Sequence, residues 1–404
     1  MIDPHRYLEA LSPLAMRFGL DRVERALDAL GHPERRAPIL HVAGTNGKGS
    51  TCAMAAAALR LAGHRTALYT SPHLERFNER IAVDGAAITD EALADAVAEV
   101  RAACPWHDGG EPGDRLSYFE FATLVALVHF ARSGAEVTVL EVGLGGRLDA
   151  TNAVRPAVTA VAAIGLDHTQ WLGETLEAVA REKAGIFKAG VAAVVHGVQP
   201  PGVLEVLRAE AERAGAPFQV AAPGWDGPLA LAGPHQRGNA GLAAAALRAL
   251  RGAAVTVGET EIAGGIATVR WPGRLERVDG VLLDGAHNPD GARALAAALA
   301  VLHPGRPVEL VFGALGDKDH RGMLAALAGA VRRLHLVAPA TPRARAAAEL
   351  QVAASSLGLV ADLHAGVAEA LACARGCAGD GAQVVVAGSL YLVGEARAQL
   401  LRRR

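Results

Sequence analysis

Short, almost wholly apolar runs recur along the chain, and many are followed by Ala-rich stretches with helical spacing. Runs without polar alternation suit strands covered on both faces, so the pattern predicts an α/β protein with mainly parallel sheets. In the first half, strands are expected at 38–43, 66–70, 137–142, 157–164 and 191–196, and helices at 50–62, 90–103 and 175–184. A second series starts at 281–283 and continues through 308–312, 334–337 and 384–387, predicting a smaller doubly wound sheet. Between the two series, Pro272 and Gly273 interrupt the periodicity, which places a domain boundary near residue 275 and gives domains 1–274 and 275–404. The Gly/Pro-rich stretch 104–114 reads as a surface loop.

Composition narrows the function classes. A chain of 404 residues with 51% hydrophobic and 20% charged residues has the usage of a folded globular protein of two domains. The 40 basic and 42 acidic side chains nearly cancel and aromatics are only 4%, so nucleic acid is not expected as a partner. No apolar run approaches the ~18–20 residues of a membrane span, and the first residues do not read as a secretory signal. A cytoplasmic monomer with no membrane partner is the expectation. The four cysteines form no C-x-x-C pair and are expected to be reduced. Only four of the 40 basic residues are lysines: Lys48, Lys183, Lys188 and Lys318. A compact ammonium that can lose its proton is not equivalent to a guanidinium, so these four are candidates for chemistry that Arg cannot perform.

The strongest local motif is Ile39-Leu-His-Val-Ala-Gly-Thr-Asn-Gly-Lys-Gly-Ser-Thr51, a strand, a glycine turn and a helix. Such a turn lets backbone N–H groups close around phosphate oxygens at the positive end of a helix. Lys48 is suited to the β/γ phosphates, and Ser50 or Thr51 to Mg²⁺. The spacing departs from the usual phosphate loop: Val42 stands where the first Gly is expected, and Gly49 separates Lys48 from Ser50.

Other strand ends reach the same edge of a parallel sheet. Glu141 closes an apolar strand and is placed to hold Mg²⁺ or its water. His168, after Asp167, is open to three roles: base, phosphate contact or ligand. Imidazole is an unusual partner for a hard cation. The segment Tyr69-Thr-Ser71-Pro-His adds a hydroxyl. Lys183 and Lys188 sit near a helix end, where a cation complements the dipole. In the second series, Leu283-Asp284-Gly-Ala-His287-Asn-Pro and the loop carrying Lys318 are strand-end segments open to capping or ligand contact.

Together these segments resemble the folylpolyglutamate synthase and dihydrofolate synthase family of the Mur ligase superfamily. The resemblance runs from HVAGTNGKGST through TSPHLERFNERI, YFEFATL, EVGLGGRLDATN, LDHTQWLG, REKAGIFK, PGRLE and DGAHNP to GSLYLVG. It implies a P-loop Mur-ligase-type ATP-binding domain followed by a Rossmann-like glutamate ligase domain. The implied reaction phosphorylates a carboxylate with ATP, after which the amine of L-glutamate displaces phosphate. The acceptors would be dihydropteroate and folate polyglutamates.

The resemblance makes Lys48, His168 and Lys183 catalytic. It assigns ATP to Asn46, Gly47, Lys48, Gly49, Ser50, Thr51, Asn239, Arg274 and Asp284. Mg²⁺ falls to Ser50, Ser71, Glu141, His168 and Lys183, the last as an N6-carboxylysine. Ser117, Tyr118, Phe119, Glu120, Asp149, His287 and Ser389 are the implied substrate contacts. Arg17 stands where an acidic residue is expected in some bifunctional members, which bears on the dihydropteroate step. The alternatives are a folylpolyglutamate synthase only, another Mur-type amino-acid ligase, or a non-catalytic ATP-binding module. Only 43 residues precede Gly44, too few for the additional N-terminal domain that holds a UDP moiety in sister ligases.

Overall fold

The computed structural model describes residues 3–11, 18–111, 113–253, 255–379 and 381–402, so Arg17 lies outside the described residues. Packing divides the chain into two units, less simply than one cut near residue 275. The first holds Met1–Ile164, Leu172–Pro228 and Gly238–Val269; the second holds Gly165–Trp171, Leu229–Arg237 and Arg270–Arg404.

The first unit is built on eight strands: β1 (Ile39–Ala43), β2 (Thr66–Tyr69), β3 (Ile81–Val83), β4 (Ala86–Ala87), β5 (Val137–Glu141), β6 (Val158–Val161), β7 (Ala192–Val195) and β8 (Phe218–Val220). Their order is β4-β3-β2-β5-β1-β6-β7-β8. β2, β5, β1, β6, β7 and β8 are parallel, and β3 and β4 turn antiparallel at one edge. Central β1 and β5 are buried at every residue, as suits their predominantly apolar sequences.

The helix Lys48–Leu61 starts two residues before the expected position and is buried along most of its length. Its run of alanines admits a close neighbour: a Cβ at Gly265, on helix Glu259–Thr268, would collide with the backbone of Ala58. The stretch expected to be only a loop, 104–114, contains a helical turn at Pro105–Gly109. Pro105 starts the turn, and the buried His107 accepts through Nδ1 from Leu116 N at 3.0 Å.

The second unit carries β9 (Glu276–Val278), β10 (Val281–Leu283), β11 (Val308–Phe312), β12 (Val331–Leu336), β13 (Ala361–Leu363) and β14 (Gln383–Ala387) in the order β13-β12-β11-β14-β10-β9. All pairs are parallel except β9 with β10. Val308, Leu310 and Phe312 of β11 and Leu334 and Leu336 of β12 form one core face with the helices Pro289–Leu302, His320–Leu327 and Ala347–Ser356. Because strand side chains alternate, Glu309, Val311 and His335 point to the opposite face. Among the described residues no helix is long and apolar enough to cross a membrane.

Candidate active site

β1 ends in a turn that only glycine serves well. Gly44 has φ +144°, and a Cβ there would lie 2.7 Å from that of Ala162. Thr45 N and Asn46 N both donate to Ala163 O, at 2.9 and 3.1 Å, which fixes the loop to the end of β6. Gly47, at φ +90°, is the N-cap of helix Lys48–Leu61, and no side chain caps that helix. The positive end of a long helix is thus presented by a loop of small residues, an anion-binding arrangement. Lys48 Nζ donates to Thr45 O at 3.3 Å, folded back over the same loop. Asn239, 4% exposed, packs on the loop so closely that a Cβ on Gly47 would run into its side-chain oxygen.

Two further elements converge on this loop. Glu141, buried at the end of β5, accepts from Ser71 N at 3.1 Å, which brings the carboxylate and Ser71 together. Lys183, 5% exposed on helix Leu176–Ala184, donates through Nζ to Gly44 O at 2.8 Å. Its helix is held against the loop after β5: Arg147 N donates to Glu182 O at 2.8 Å, and Asn152 Nδ2 reaches both Arg147 O and Gly185 O. Gly146 and Gly185 allow that approach, since a Cβ on either would meet backbone.

In the second unit, Asp167 is the centre of a charged cluster. Lys318 Nζ donates to its Oδ1 at 2.6 Å and Asn288 Nδ2 to its Oδ2 at 3.2 Å, with His287 Nε2 3.4 Å from Oδ2. Burial opposes ionisation of Asp167, but the hydrogen bond from His287 and the charge of Lys318 hold its pKa far below the carboxylate range. His168 is left-handed, at φ +51°, with Nε2 3.1 Å from Lys318 Nζ. Burial lowers its pKa to about 4 against the opposing charge of Asp167, so it is neutral and presents a lone pair to the ammonium. Asp167 and Lys318 stood in the motifs noted above, but their pairing across 151 positions carries no local signal.

The comparisons with known proteins decide the family. The Mur ligase middle domain matches residues 42–200, and the Mur ligase glutamate ligase domain matches 273–390. A Bacillus subtilis dihydrofolate synthase/folylpolyglutamate synthase is 36% identical over 377 residues, covering 86% of this chain and 87% of that protein. This chain belongs to the dihydrofolate synthase/folylpolyglutamate synthase family of ATP-dependent amide ligases. Among solved structures, E. coli FolC in complex with DHPP and ADP is 35% identical with a TM-score of 0.89, covering 100% of this chain and 99% of that one. A bifunctional folylpolyglutamate synthase/dihydrofolate synthase with Mn, AMPPNP and L-glutamate bound is 34% identical with a TM-score of 0.88, covering 99% and 98%.

Several residues that the family resemblance assigns to ligands have local work in this structure. Ser117 and Glu120 form a capping box on helix Tyr118–Arg132: Ser117 N donates to Glu120 Oε2 at 2.6 Å and Glu120 N to Ser117 Oγ at 3.4 Å. Arg22 Nη2 donates to Glu120 Oε1 at 2.8 Å. The box orients Tyr118, beneath the Arg80 guanidinium, and Phe119, whose ring occupies the space a Cβ on Gly143 would need.

Asp149, buried, accepts from Thr151 N and Leu144 N at 3.0 and 2.8 Å and shapes the loop after β5; burial raises its pKa. Asp284 accepts from Leu275 N and Ala286 N, both at 3.0 Å, while the Arg274 guanidinium lies over Gly285. His287 Nδ1 contacts Gly285 O at 2.8 Å, and Ser389 caps helix Leu390–Leu401, accepting from Tyr391 N at 3.2 Å.

Proposed function

We propose that this chain joins L-glutamate to dihydropteroate and to folate polyglutamates, in the cytoplasm, as a bifunctional synthase. The observation that carries the reading is the bond from Lys183 to Gly44: it welds the helix of the REKAG motif to the glycine loop that ends β1. A bare phosphate-binding turn has no need of that attachment.

In the proposed reaction an oxygen of the acceptor carboxylate attacks the γ-phosphorus of ATP, the bond to the β-bridging oxygen breaks, and ADP leaves an acyl phosphate. The glutamate amine then attacks the acyl carbon, loses its proton, and expels phosphate. Negative charge grows first on the transferring phosphoryl group and then on the tetrahedral carbon's oxygen. Asn46, Gly47, Gly49, Ser50 and Thr51 line the loop that would enclose the phosphates, and Lys48 would exchange its bond to Thr45 O for a phosphate oxygen. Asn239, Arg274 and Asp284 are proposed for the rest of the nucleotide. Tyr118, Phe119 and Asp149, positioned by Ser117 and Glu120, are proposed for the pterin-bearing acceptor, and His287 and Ser389 for the phosphates or the incoming glutamate.

The hydroxyls of Ser50 and Ser71 and the Glu141 carboxylate are hard oxygen donors, and this set fits Mg²⁺. His168 and Lys183 are proposed as further ligands. When bound there, the ion would neutralise charge on the phosphates. Lys183 is proposed to carry a carbamate, which turns a +1 side chain into a −1 oxygen donor and requires a transiently neutral amine. The test is a carbamate carbon resonance after exposure to ¹³C-bicarbonate: it is expected in the native chain and absent in Lys183→Arg. An unmodified lysine under those conditions contradicts the proposal.

A further inference from the structure

On the face of the second sheet opposite the core described above, polar groups stand where apolar ones are expected. Glu309 of β11 and His335 of β12 are fully buried, each flanked in its strand by buried apolar residues: Val308 and Leu310 beside Glu309, Leu334 and Leu336 beside His335. His335 Nε2 lies 2.8 Å from Glu309 Oε2, whose other oxygen accepts from Arg332 Nε at 2.6 Å. On its other side, His335 Nδ1 lies 3.1 Å from Nε2 of His364, just past β13, with the rings tilted by 31°. Helix Val367–Ala378 packs against β11 and β12, seated by Val367, Ala370, Leu371, Ala374 and Ala378. Cys373 and Cys377, one turn apart on it, are exposed thiols.

One donor atom each from His335, His364 and Cys373 lies within 4.8 Å of the other two. Two imidazole nitrogens at ~2.0–2.1 Å from a tetrahedral zinc ion stand about 3.3–3.4 Å apart, close to the spacing of the His335 and His364 nitrogens. Cys373, exposed and within that distance, would supply the third donor.

The protons argue the same way. A hydrogen bond from His335 Nε2 to the Glu309 carboxylate leaves a lone pair at His335 Nδ1, so His364 must donate from Nε2. That leaves Nδ1 of His364 as an acceptor, in a side chain only 4% exposed, with no hydrogen-bond partner. A cation between the two imidazoles instead takes both facing lone pairs and moves the His364 hydrogen to Nδ1, where Glu369 Oε1 is 3.8 Å away. Each imidazole would then back its metal nitrogen with a carboxylate on the far nitrogen, a common outer-shell arrangement.

We propose that His335 Nδ1, His364 Nε2 and Cys373 Sγ form a binding site for a zinc-class divalent ion, with Glu309 and Arg332 supporting His335 and a water completing the shell. Thiolate and imidazole donors select such an ion over magnesium. The ion would staple helix Val367–Ala378 to the β12–β13 edge. The second set within reach, Glu309, His335 and Cys377, would require His335 to give up its hydrogen bond to Glu309.

The test uses the full chain, stripped by chelator and kept in excess Mg²⁺ so that hard-oxygen sites are filled. Zinc is titrated against a chromophoric competitor, and cobalt is used as a spectroscopic stand-in. The expected result is one zinc per chain, a higher melting temperature on zinc addition, and a thiolate-to-cobalt charge-transfer band with tetrahedral ligand-field bands. Cys373→Ser should abolish the charge-transfer band, and Cys373→Ser and His364→Gln should each weaken zinc at least about tenfold. Cys377→Ser should leave both readouts unchanged. Absence of the band in the native chain, its survival in Cys373→Ser, its loss in Cys377→Ser, or unchanged zinc affinity in His364→Gln would each overturn the assignment. Circular dichroism of each variant separates loss of the site from loss of the fold.

Discussion

Lys183 Nζ is 2.8 Å from the carbonyl oxygen of Gly44, and this contact spans 139 positions of sequence. It makes a helix end part of the phosphate loop's own support. Replacing Lys183 by Ala removes the donor from an enclosed carbonyl and the amine that the carbamate requires. We expect a stability loss of about 1–3 kcal/mol, from urea unfolding, and at least a ~100-fold loss in ADP release. Lys183→Arg should recover part of the stability and none of the turnover.

Gly47 and Asn239 offer a second coupling. Gly47→Ala introduces a side chain at φ +90° and into the Asn239 amide, so ADP affinity by calorimetry should fall at least about tenfold. In the double variant with Asn239→Ala the collision is relieved but the backbone strain is not. The two changes should therefore be non-additive, with part of the affinity returned.

Much of this support was legible in outline. The runs of β1, β5, β11 and β14 are legible because burial on both faces favours a largely apolar sequence, and the glycine loop because a helix N-terminus that meets phosphate needs small residues. β4 and β8 did not, since Ala86–Ala87 and Phe218–Val220 are short edge pieces with exposed residues and no period to detect. β9 and β13 are three residues long for the same reason. The roles of Ala163 O, which anchors Thr45 and Asn46, and of Asp167, which gathers Lys318, Asn288 and His287, rest on long-range contacts that leave no mark on local composition. Ser117, Glu120 and Asp284, candidate ligand contacts by family resemblance, each also organise their own backbone.

The capping box couples helix stability to the acceptor site. Ser117→Ala should cost about 0.5–2 kcal/mol through loss of the cap on helix Tyr118–Arg132, and should raise KM for the acceptor because Tyr118 and Phe119 lose their orientation. Chemical denaturation and steady-state kinetics on the same preparation check both halves.

His41 gives the chain a pH signature. It is fully buried in β1, with Nε2 2.8 Å from Thr151 Oγ1, and burial together with the charge of Lys188 pushes its pKa down to about 3. The unfolded chain takes up this proton below about pH 6.5, whereas the folded chain refuses it until about pH 3. Unfolding therefore binds a proton in that window, and stability falls as pH drops through it, with a limiting slope of about 1.4 kcal/mol per pH unit from this group. His41→Gln should flatten the dependence of urea stability on pH between about pH 4 and 6.5 by up to that amount.

The central claim is a glutamate ligase that accepts both pterin carboxylates. Its most direct test is ATP-dependent ADP release with L-glutamate, measured separately with dihydropteroate and with a reduced folate monoglutamate. Bifunctional synthesis predicts release with both acceptors, dependent on glutamate and on Mg²⁺, and lost in Lys48→Ala. Release with the folate alone would contradict the dihydropteroate step, and release with neither, in a chain that binds ATP, would contradict the reading as a whole.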